Sequence, residues 1–542
     1  MNKKFLSVIS LMLSLGVSVG CMGGGDGGEV SSESEKESAS VEEITPPESV
    51  IEEDVMLDLT PTIPEGYIQL AVGEASGYKT EGYGCQVDTH IFKESYNNFY
   101  GEEEMTEWLA RIDDMELQTI RTQVFPEWYE RGNDNGSPDV FKKNSANVDF
   151  NSIEMQQLYR LLDICEERNI KVDLSFYGCN RNFESQDGKI RGSWLANSYE
   201  NNWITAPKLE DENGNPYPGY EEFAESVYAC LDHLLNEKNY TCLYVFSIFP
   251  EPNGSFPDKN GYCDDNEYFK LCKIVKAKLE SKNVWDKIKM AGPGDCANDL
   301  ERYKNYVTNL KDVCTVNTSS VYKFNDQSTN AEMYEYAYNN VQACKSVGYT
   351  WGVCESGSNR FIDPANQEDI DTYNRAIFIA RTVINYTNAG CTNIKYWVLN
   401  DVNYGGYIMR LGLWREIGSQ YNASARPQYY TWSLITKYTE FGSEIYPVVS
   451  SDPDVCMVAY RLPNGSWTYL IANSGNTTKK ISITSLHSTA QKSMNVYMIS
   501  GSTIPDGNGL VRTIDATDTK EMKNGVLNIS LRSNSFTVIS NK

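Results

Sequence analysis

Ile248-Phe249-Pro250-Glu251-Pro252-Asn253 and Trp351-Gly352-Val353-Cys354-Glu355-Ser356-Gly357 share one pattern: a short apolar run, then a glutamate, then turn residues. A carboxylate has this setting when it stands at the C-terminal end of a buried parallel strand. The chain on either side supports that reading. From about 80 to 440, short apolar runs alternate with amphipathic stretches of helical period, the signature of βα units. Strands are expected at 83–92, 119–125, 171–177, 242–249, 287–292, 314–322, 350–354 and 393–399. Helical patterns lie near 102–114, 152–167, 220–236, 266–282, 299–310, 331–347, 367–387 and 427–438. Eight such units predict a (β/α)₈ TIM barrel, with Glu251 closing strand four and Glu355 strand seven.

Some boundaries carry their own signals. Asn151 with Glu154 reads as a capping box for the second helix. Asp363-Pro364 reads as a cap and first-turn pair for the seventh. The largest insertion, from Gly178 to about Gly219, follows strand three and carries Trp194, Trp203, Pro216 and Pro218. After about 443 the pattern changes to short strands such as Val455–Tyr460 and Trp467–Ile471, with turns at Pro463-Asn464-Gly465 and Asn524-Gly525. These predict a C-terminal all-β sandwich over 443–542. Tyr67-Ile68-Gln69-Leu70 is expected to add a strand to it. The barrel is assigned to 66–442.

The N-terminus looks like an export signal over 1–21. Lys3-Lys4 precede an apolar stretch from Phe5 to Val19, too short to span as a stable helix. Ser18-Val19-Gly20-Cys21 resembles a bacterial lipoprotein cleavage box, with Ser18 where Leu is usual, so Cys21 is the expected lipidation site. Residues 22–65 form an acidic Ser/Gly/Glu tract with too few apolar residues to make a core, and read as a disordered tether. The expected location is the outer face of the cell envelope, held there by the lipid.

Composition narrows the chemistry. The 542 residues carry a formal net charge of −26, which disfavours a nucleic-acid partner. Only His90, His233 and His487 are available, so histidine-rich zinc sites are nearly excluded. Fourteen cysteines show no CxxC spacing, and most sit within helix or strand patterns as small buried hydrophobes. No metal or organic cofactor is expected. Carboxylate chemistry is the economical alternative, and two strand-end glutamates suit glycoside hydrolysis. That reaction needs one acid to protonate the leaving oxygen and a second carboxylate to attack the sugar or activate water. The other strand ends supply Asp295, Tyr322, Trp397 and Asp401. Arg121 and Gln123 lie two apart on strand two, hence on one face. A carboxylate at the barrel mouth would satisfy Arg121.

With these residues in view, the region 80–440 resembles glycoside hydrolase clan A, the retaining (β/α)₈ hydrolases, and is most similar to families 39, 30 and 5. The resemblance implies that Glu251 is the acid/base and Glu355 the nucleophile. Arg121 matches the strand-two arginine that keeps the nucleophile ionised, Tyr322 the strand-six tyrosine beside it, and Trp397 the strand-eight tryptophan that floors the sugar subsite. His90 and Asn253 are further candidate substrate contacts. Arg426-Pro427-Gln428-Tyr429-Tyr430 and the β module that follows are similar to families 39 and 30. Two positions depart from the pattern: Pro250 replaces the Asn that precedes the acid/base, and Ser320 stands where a His is usual. The implied activity is retaining hydrolysis of a β-linked polysaccharide or oligosaccharide. The carboxyl groups would stand about 5–5.5 Å apart. The competing readings are a non-catalytic carbohydrate-binding barrel, to which Pro250 lends weight, and a solute-binding lipoprotein.

Overall fold

The computed structural model describes residues 62–92, 101–176 (apart from 133, 136 and 138), 182–184, 190–192, 208–210, 216–252, 265–360 (apart from 297), 368–403, 408–415, 424–487, 492–507 and 513–542. Cys21 and the signal-like segment, nearly all of the acidic tract, Trp194, Trp203, Asn253 and Asp363-Pro364 lie outside the described residues.

Eight parallel strands close a barrel in sequence order: β1 (Tyr83–Gln86), β2 (Thr119–Val124), β3 (Lys171–Phe176), β4 (Leu243–Ile248), β5 (Lys289–Asp295), β6 (Val316–Val321), β7 (Thr350–Ser356) and β8 (Cys391–Tyr396). β8 returns to β1 through the register Ile394↔Tyr83. Most strand residues are buried on both faces, and several of them are polar, such as Arg121, Asp173, Asn317 and Lys395, which point into a barrel interior that must satisfy them. Between the strands run α1 (Glu102–Met115), α2 (Ile153–Glu167), α3 (Gly219–Asp232), α4 (Asp265–Ser281), α5 (Leu300–Asn309), α6 (Asn330–Lys345) and α7 (Tyr373–Asn388), and α8 (Pro427–Tyr438) follows β8. Thr329 and Glu332 form a full capping box on α6. On α2 the cap is not Asn151 but Ser152, whose Oγ accepts from the Met155 amide while donating to the Trp128 carbonyl. Glu154 turns away from the cap to pair with Arg131 at 3.2 Å, an option the linear pattern could not show.

Strand ends differ from expectation where they matter. β1 stops at Gln86, and Thr89–Phe92 forms a 3₁₀ turn instead of continuing the strand. β7 runs on to Ser356, so Glu355 belongs to the strand itself, opposite Ser320 and just past a register shift after Ser319. β5 extends to Asp295, and β8 ends one residue before Trp397.

The second unit is a folded nine-stranded sheet built from β9 (Glu444–Ser450), β10 (Val455–Arg461), β11 (Trp467–Asn473), β12 (Lys479–Thr484), β13 (Lys492–Ser500), β14 (Asp518–Met522), β15 (Val526–Leu531), β16 (Ser535–Ser540) and the N-terminal strand Ile68–Val72. Ile68–Val72 pairs antiparallel with β9 and parallel with β12, so it belongs to this sandwich and not to the barrel. Alternation along β10 divides two cores. Met457 and Ala459 pack among Leu70, Trp467 and Ile481 inside the sandwich. Val458 and Tyr460 face the barrel side, where the Tyr460 hydroxyl meets that of Tyr83 at 2.8 Å. Asn388 at the end of α7 donates to the Met457 carbonyl at 2.7 Å, tying the two units further. Eleven described cysteines are buried and free. Among the described residues no helix is long and apolar enough to cross a membrane.

Candidate active site

Glu355 enters the barrel mouth from the end of β7 and is 4 % exposed. Both of its oxygens are held. Arg121 from β2 donates to Oε2 at 3.0 Å, and the Tyr322 hydroxyl, just past β6, donates to Oε1 at 2.7 Å. Arg121 is itself steadied, because the same Nη1 reaches Gln86 Oε1 at 3.2 Å while Gln86 Nε2 donates to Asp88 at 2.7 Å. The result is a continuous chain from Asp88 through Gln86, Arg121 and Glu355 to Tyr322. A small residue makes the last link possible: a Cβ at Gly357 would stand 2.6 Å from the Tyr322 ring and push it off the carboxylate.

Glu251 follows β4 in a different setting. Phe249 and Glu251, on either side of Pro250, both adopt left-handed backbone angles (φ 49° and 54°). Side chains with a Cβ resist that region, so the turn holds strain of the kind found at functional sites. It is anchored by the Phe249 amide, which donates to the Phe176 carbonyl at 2.8 Å, and by the Phe249 ring against Phe223. Glu251 is 7 % exposed, and its Oε1 has no hydrogen-bond partner among the described residues. Cys296, beyond β5, supplies a hydrogen bond to the carboxylate.

The electrostatics of the two glutamates differ for that reason. Burial pushes the Glu251 carboxyl up to about 8, and the charge of Glu355 pushes the same way; Arg121 and Cys296 oppose both. Asp295, buried at the end of β5, adds to the rise. Burial also raises Glu355, but Arg121 and the Tyr322 hydroxyl favour its charged form directly. Of the two, Glu355 is the one that ionises first, which leaves the proton on Glu251. Burial, Glu355 and Glu251 together hold the Tyr322 phenol well above its usual range, so it stays a donor.

Trp397 is buried beside this group, in an apolar cluster with Tyr322, Val402, Met409 and Leu411, and its indole N–H points at the Met409 sulfur (2.9 Å). Two further carboxylates, Asp401 after β8 and Glu127 after β2, do different work. Asp401 is locked to Arg426 by two contacts of 2.7 and 2.8 Å. Glu127 is buried in the turn Pro126–Trp128, outside the chain of contacts around Glu355. His90 lies on the Thr89–Phe92 turn, beyond the end of β1, and its side chain is outside the described residues, as is Asn253. Sequence reasoning overlooked Gln86, Asp88 and Cys296. The two-residue spacing that singled out Arg121 and Gln123 also relates Gln86 to Asp88 within 83–92, the stretch expected to form strand one.

No family model matches the chain, and no curated protein matches its sequence. Solved structures do align with it. The catalytic domain of GH30 xylanase C from Talaromyces cellulolyticus superimposes with a TM-score of 0.61 at 11% identity, over 87% of this chain and 99% of that one. The GH51 arabinofuranosidase from Xanthomonas axonopodis pv. citri gives 0.58 at 10% identity, over 88% and 99%. A monomeric β-xylosidase from Caulobacter crescentus gives 0.57 at 12%, again over 88% and 99%. This chain shares their fold. A GH39 enzyme also aligns, so families 30 and 39, expected from the motifs, are both among the structural neighbours. At such identities the likeness carries the architecture, a barrel with its appended sandwich, and no more.

Proposed function

We propose that the protein is a retaining β-glycosidase acting on a β-linked polysaccharide or oligosaccharide, held at the outer cell surface by a lipid on Cys21. The observation that carries the activity is the asymmetry of the two buried glutamates. One is clamped on both oxygens by a guanidinium and a phenol. The other makes no ion pair among the described residues and, with its pKa pushed up to about 8 by burial, keeps its proton near neutral pH. In the first step a Glu355 oxygen attacks the anomeric carbon as the bond to the leaving oxygen breaks, and that oxygen takes the proton of Glu251. Glu355 is then an ester and carries no charge. The pKa of Glu251 therefore falls, and its carboxylate can accept a proton from the water that displaces Glu355. Arg121 and Tyr322 hold Glu355 in position and take back its charge when it leaves. Trp397 floors the sugar site. The structural neighbours include proteins named as xylanase, β-xylosidase and arabinofuranosidase, which supports a glycan substrate for the shared fold.

Paired variants test the reading. Glu251→Ala should still form the glycosyl-enzyme from a dinitrophenyl β-glycoside, because that leaving group needs no proton. Added azide should then restore turnover and give the β-glycosyl azide. Glu355→Ala should form no such intermediate. A β-azide product from Glu355→Ala would reverse the roles. Wild-type protein that turns over nothing across a broad panel of β-glycans would make this a binding barrel and give Pro250 its meaning. Intact-mass analysis of the membrane fraction tests the anchor: a chain cleaved elsewhere and carrying no lipid would remove Cys21 from the proposal.

A further inference from the structure

Away from the two glutamates, a second set of acidic side chains is buried where the β2–α2 loop packs on α3. Glu130 and Asp134 come from the loop; Glu222 and Glu225 come from the first two turns of α3. All four are hidden from solvent, at 1 %, 6 %, 0 % and 1 % exposure. One oxygen from each of Glu130, Asp134 and Glu222 lies within 4.8 Å of the others. Glu225 faces the same group, its charge opposing those of Glu222 and Asp134. Neither Glu225 oxygen has a hydrogen-bond partner among the described residues, and neither has Asp134 Oδ1. The second oxygen of Asp134 is used by the Lys142 amide and by Asn135.

Buried carboxylates with open lone pairs are costly unless a cation or protons neutralise them. We propose that Glu130, Asp134 and Glu222 bind one calcium ion, with the Glu225 carboxylate adding negative charge beside it, and that the ion pins the β2–α2 loop to α3. The ligands are all hard oxygens, the set calcium prefers. Three oxygens within 4.8 Å of one another are close enough to touch one ion at about 2.4 Å. Magnesium holds on to several waters and is seldom bound by protein oxygens alone, which favours calcium in a buried all-carboxylate site. The site also has a built frame. The Tyr129 hydroxyl donates to the Ser226 carbonyl at 2.9 Å and receives the Ser226 hydroxyl at 3.1 Å, fixing loop to helix beside Glu130 and Glu225. The ion would be structural and stands apart from the glycosidase reading: it touches neither Glu251 nor Glu355.

The test uses the mature full-length protein stripped with EDTA and then titrated with calcium chloride, followed by metal analysis, calorimetry and thermal melting. One calcium per chain and a melting temperature that climbs with the logarithm of calcium concentration are expected. Glu225→Gln keeps the shape and removes one charge; it should weaken calcium binding at least tenfold while leaving the metal-free protein as stable as wild type or more so. Asp134→Asn should do the same. The proposal is overturned if millimolar calcium neither binds nor shifts the wild-type melt. It is equally overturned if both variants bind as tightly as wild type, or if magnesium matches calcium in affinity and effect.

Discussion

Arg121 and Arg426 are both almost wholly buried, and each meets a buried carboxylate at or near the end of a barrel strand. Their surroundings differ. Arg426 grips Asp401 with two nitrogens, reaches Asp371 at 2.7 Å and the Gly412 carbonyl at 2.8 Å, and Asp401 also receives the Gly412 amide at 2.9 Å. Every bond there closes on protein, which is what a clasp between β8 and α8 requires. Arg121 gives Glu355 one nitrogen and shares it with Gln86, while a neutral phenol holds the other oxygen. Charge is maintained without the carboxylate being used up. Two arginine–glutamate or arginine–aspartate pairs of equal burial thus serve opposite ends, and the count and type of the remaining contacts tell them apart.

Substitutions should separate the two pairs. The largest effect is expected from Glu355→Ala, which should lower kcat by at least about 10⁴-fold on glycosides while the melting temperature changes little. Asp401→Ala should do the reverse. It removes two charged hydrogen bonds from the buried Arg426, which keeps Asp371, and should cost about 3 kcal/mol of stability, with kcat of the folded fraction, measured below the new melting temperature, near wild type. A collapse of kcat in the folded Asp401→Ala protein would erase the distinction between clasp and site. Arg121→Met sharpens it: Arg121 lowers the pKa of Glu355, so its loss should move the acid limb of the kcat/KM profile to higher pH. The smaller change Tyr322→Phe should cost kcat about tenfold and shift the same limb in the same direction, because one hydrogen bond to the charged form is gone.

The smallest effect concerns Glu251. Its folded pKa is raised to about 8, above the ordinary carboxylate range, so the folded state prefers the protonated form. Stability from that preference is complete below the unfolded pKa, near 4.3, and is lost as pH climbs through about 8. The melting temperature of wild type should therefore fall between about pH 5 and pH 8.5, and Glu251→Gln should flatten that decline, gaining roughly 2–4 °C at the alkaline end. The alkaline limb of kcat/KM should lie near the same pH, as the acid loses its proton. An unchanged melting curve in Glu251→Gln would mean that the carboxyl is charged in the folded state.

The barrel was legible because its strands are buried on both faces and its helices are amphipathic, so period alone separated them. Glu251, Glu355 and Arg121 could be read for the same reason: each interrupts or ends an apolar run, and a charge at such a place needs a partner. The fine geometry was not legible. Strand β1 ends at Gln86, and a 3₁₀ turn over Thr89–Phe92 replaces the rest of the expected strand. Ser152 takes the place of Asn151 as the α2 cap because the Trp128 carbonyl, 24 residues earlier, accepts its hydroxyl proton and leaves its oxygen to receive the Met155 amide. The acidic cluster was hidden for a further reason. In Gly219-Tyr220-Glu221-Glu222-Phe223-Ala224-Glu225 the glutamates look like the solvated face of a helix, yet α3 is covered on nearly every side. Only the fold brings them to Glu130 and Asp134, about 90 residues upstream.

The strand Ile68–Val72 has a consequence for the order of events during synthesis. It is the first of the described strands to leave the ribosome, yet both of its partners, Glu444–Ser450 and Lys479–Thr484, are among the later ones. It must stay unpaired while the entire barrel is made and can fold. The sandwich then closes around it last, like a latch drawn through from the start of the chain. Once closed, a pull on the segment before Ile68 is borne by an inner strand of the sandwich sheet, flanked on both sides, and the barrel carries none of that load directly.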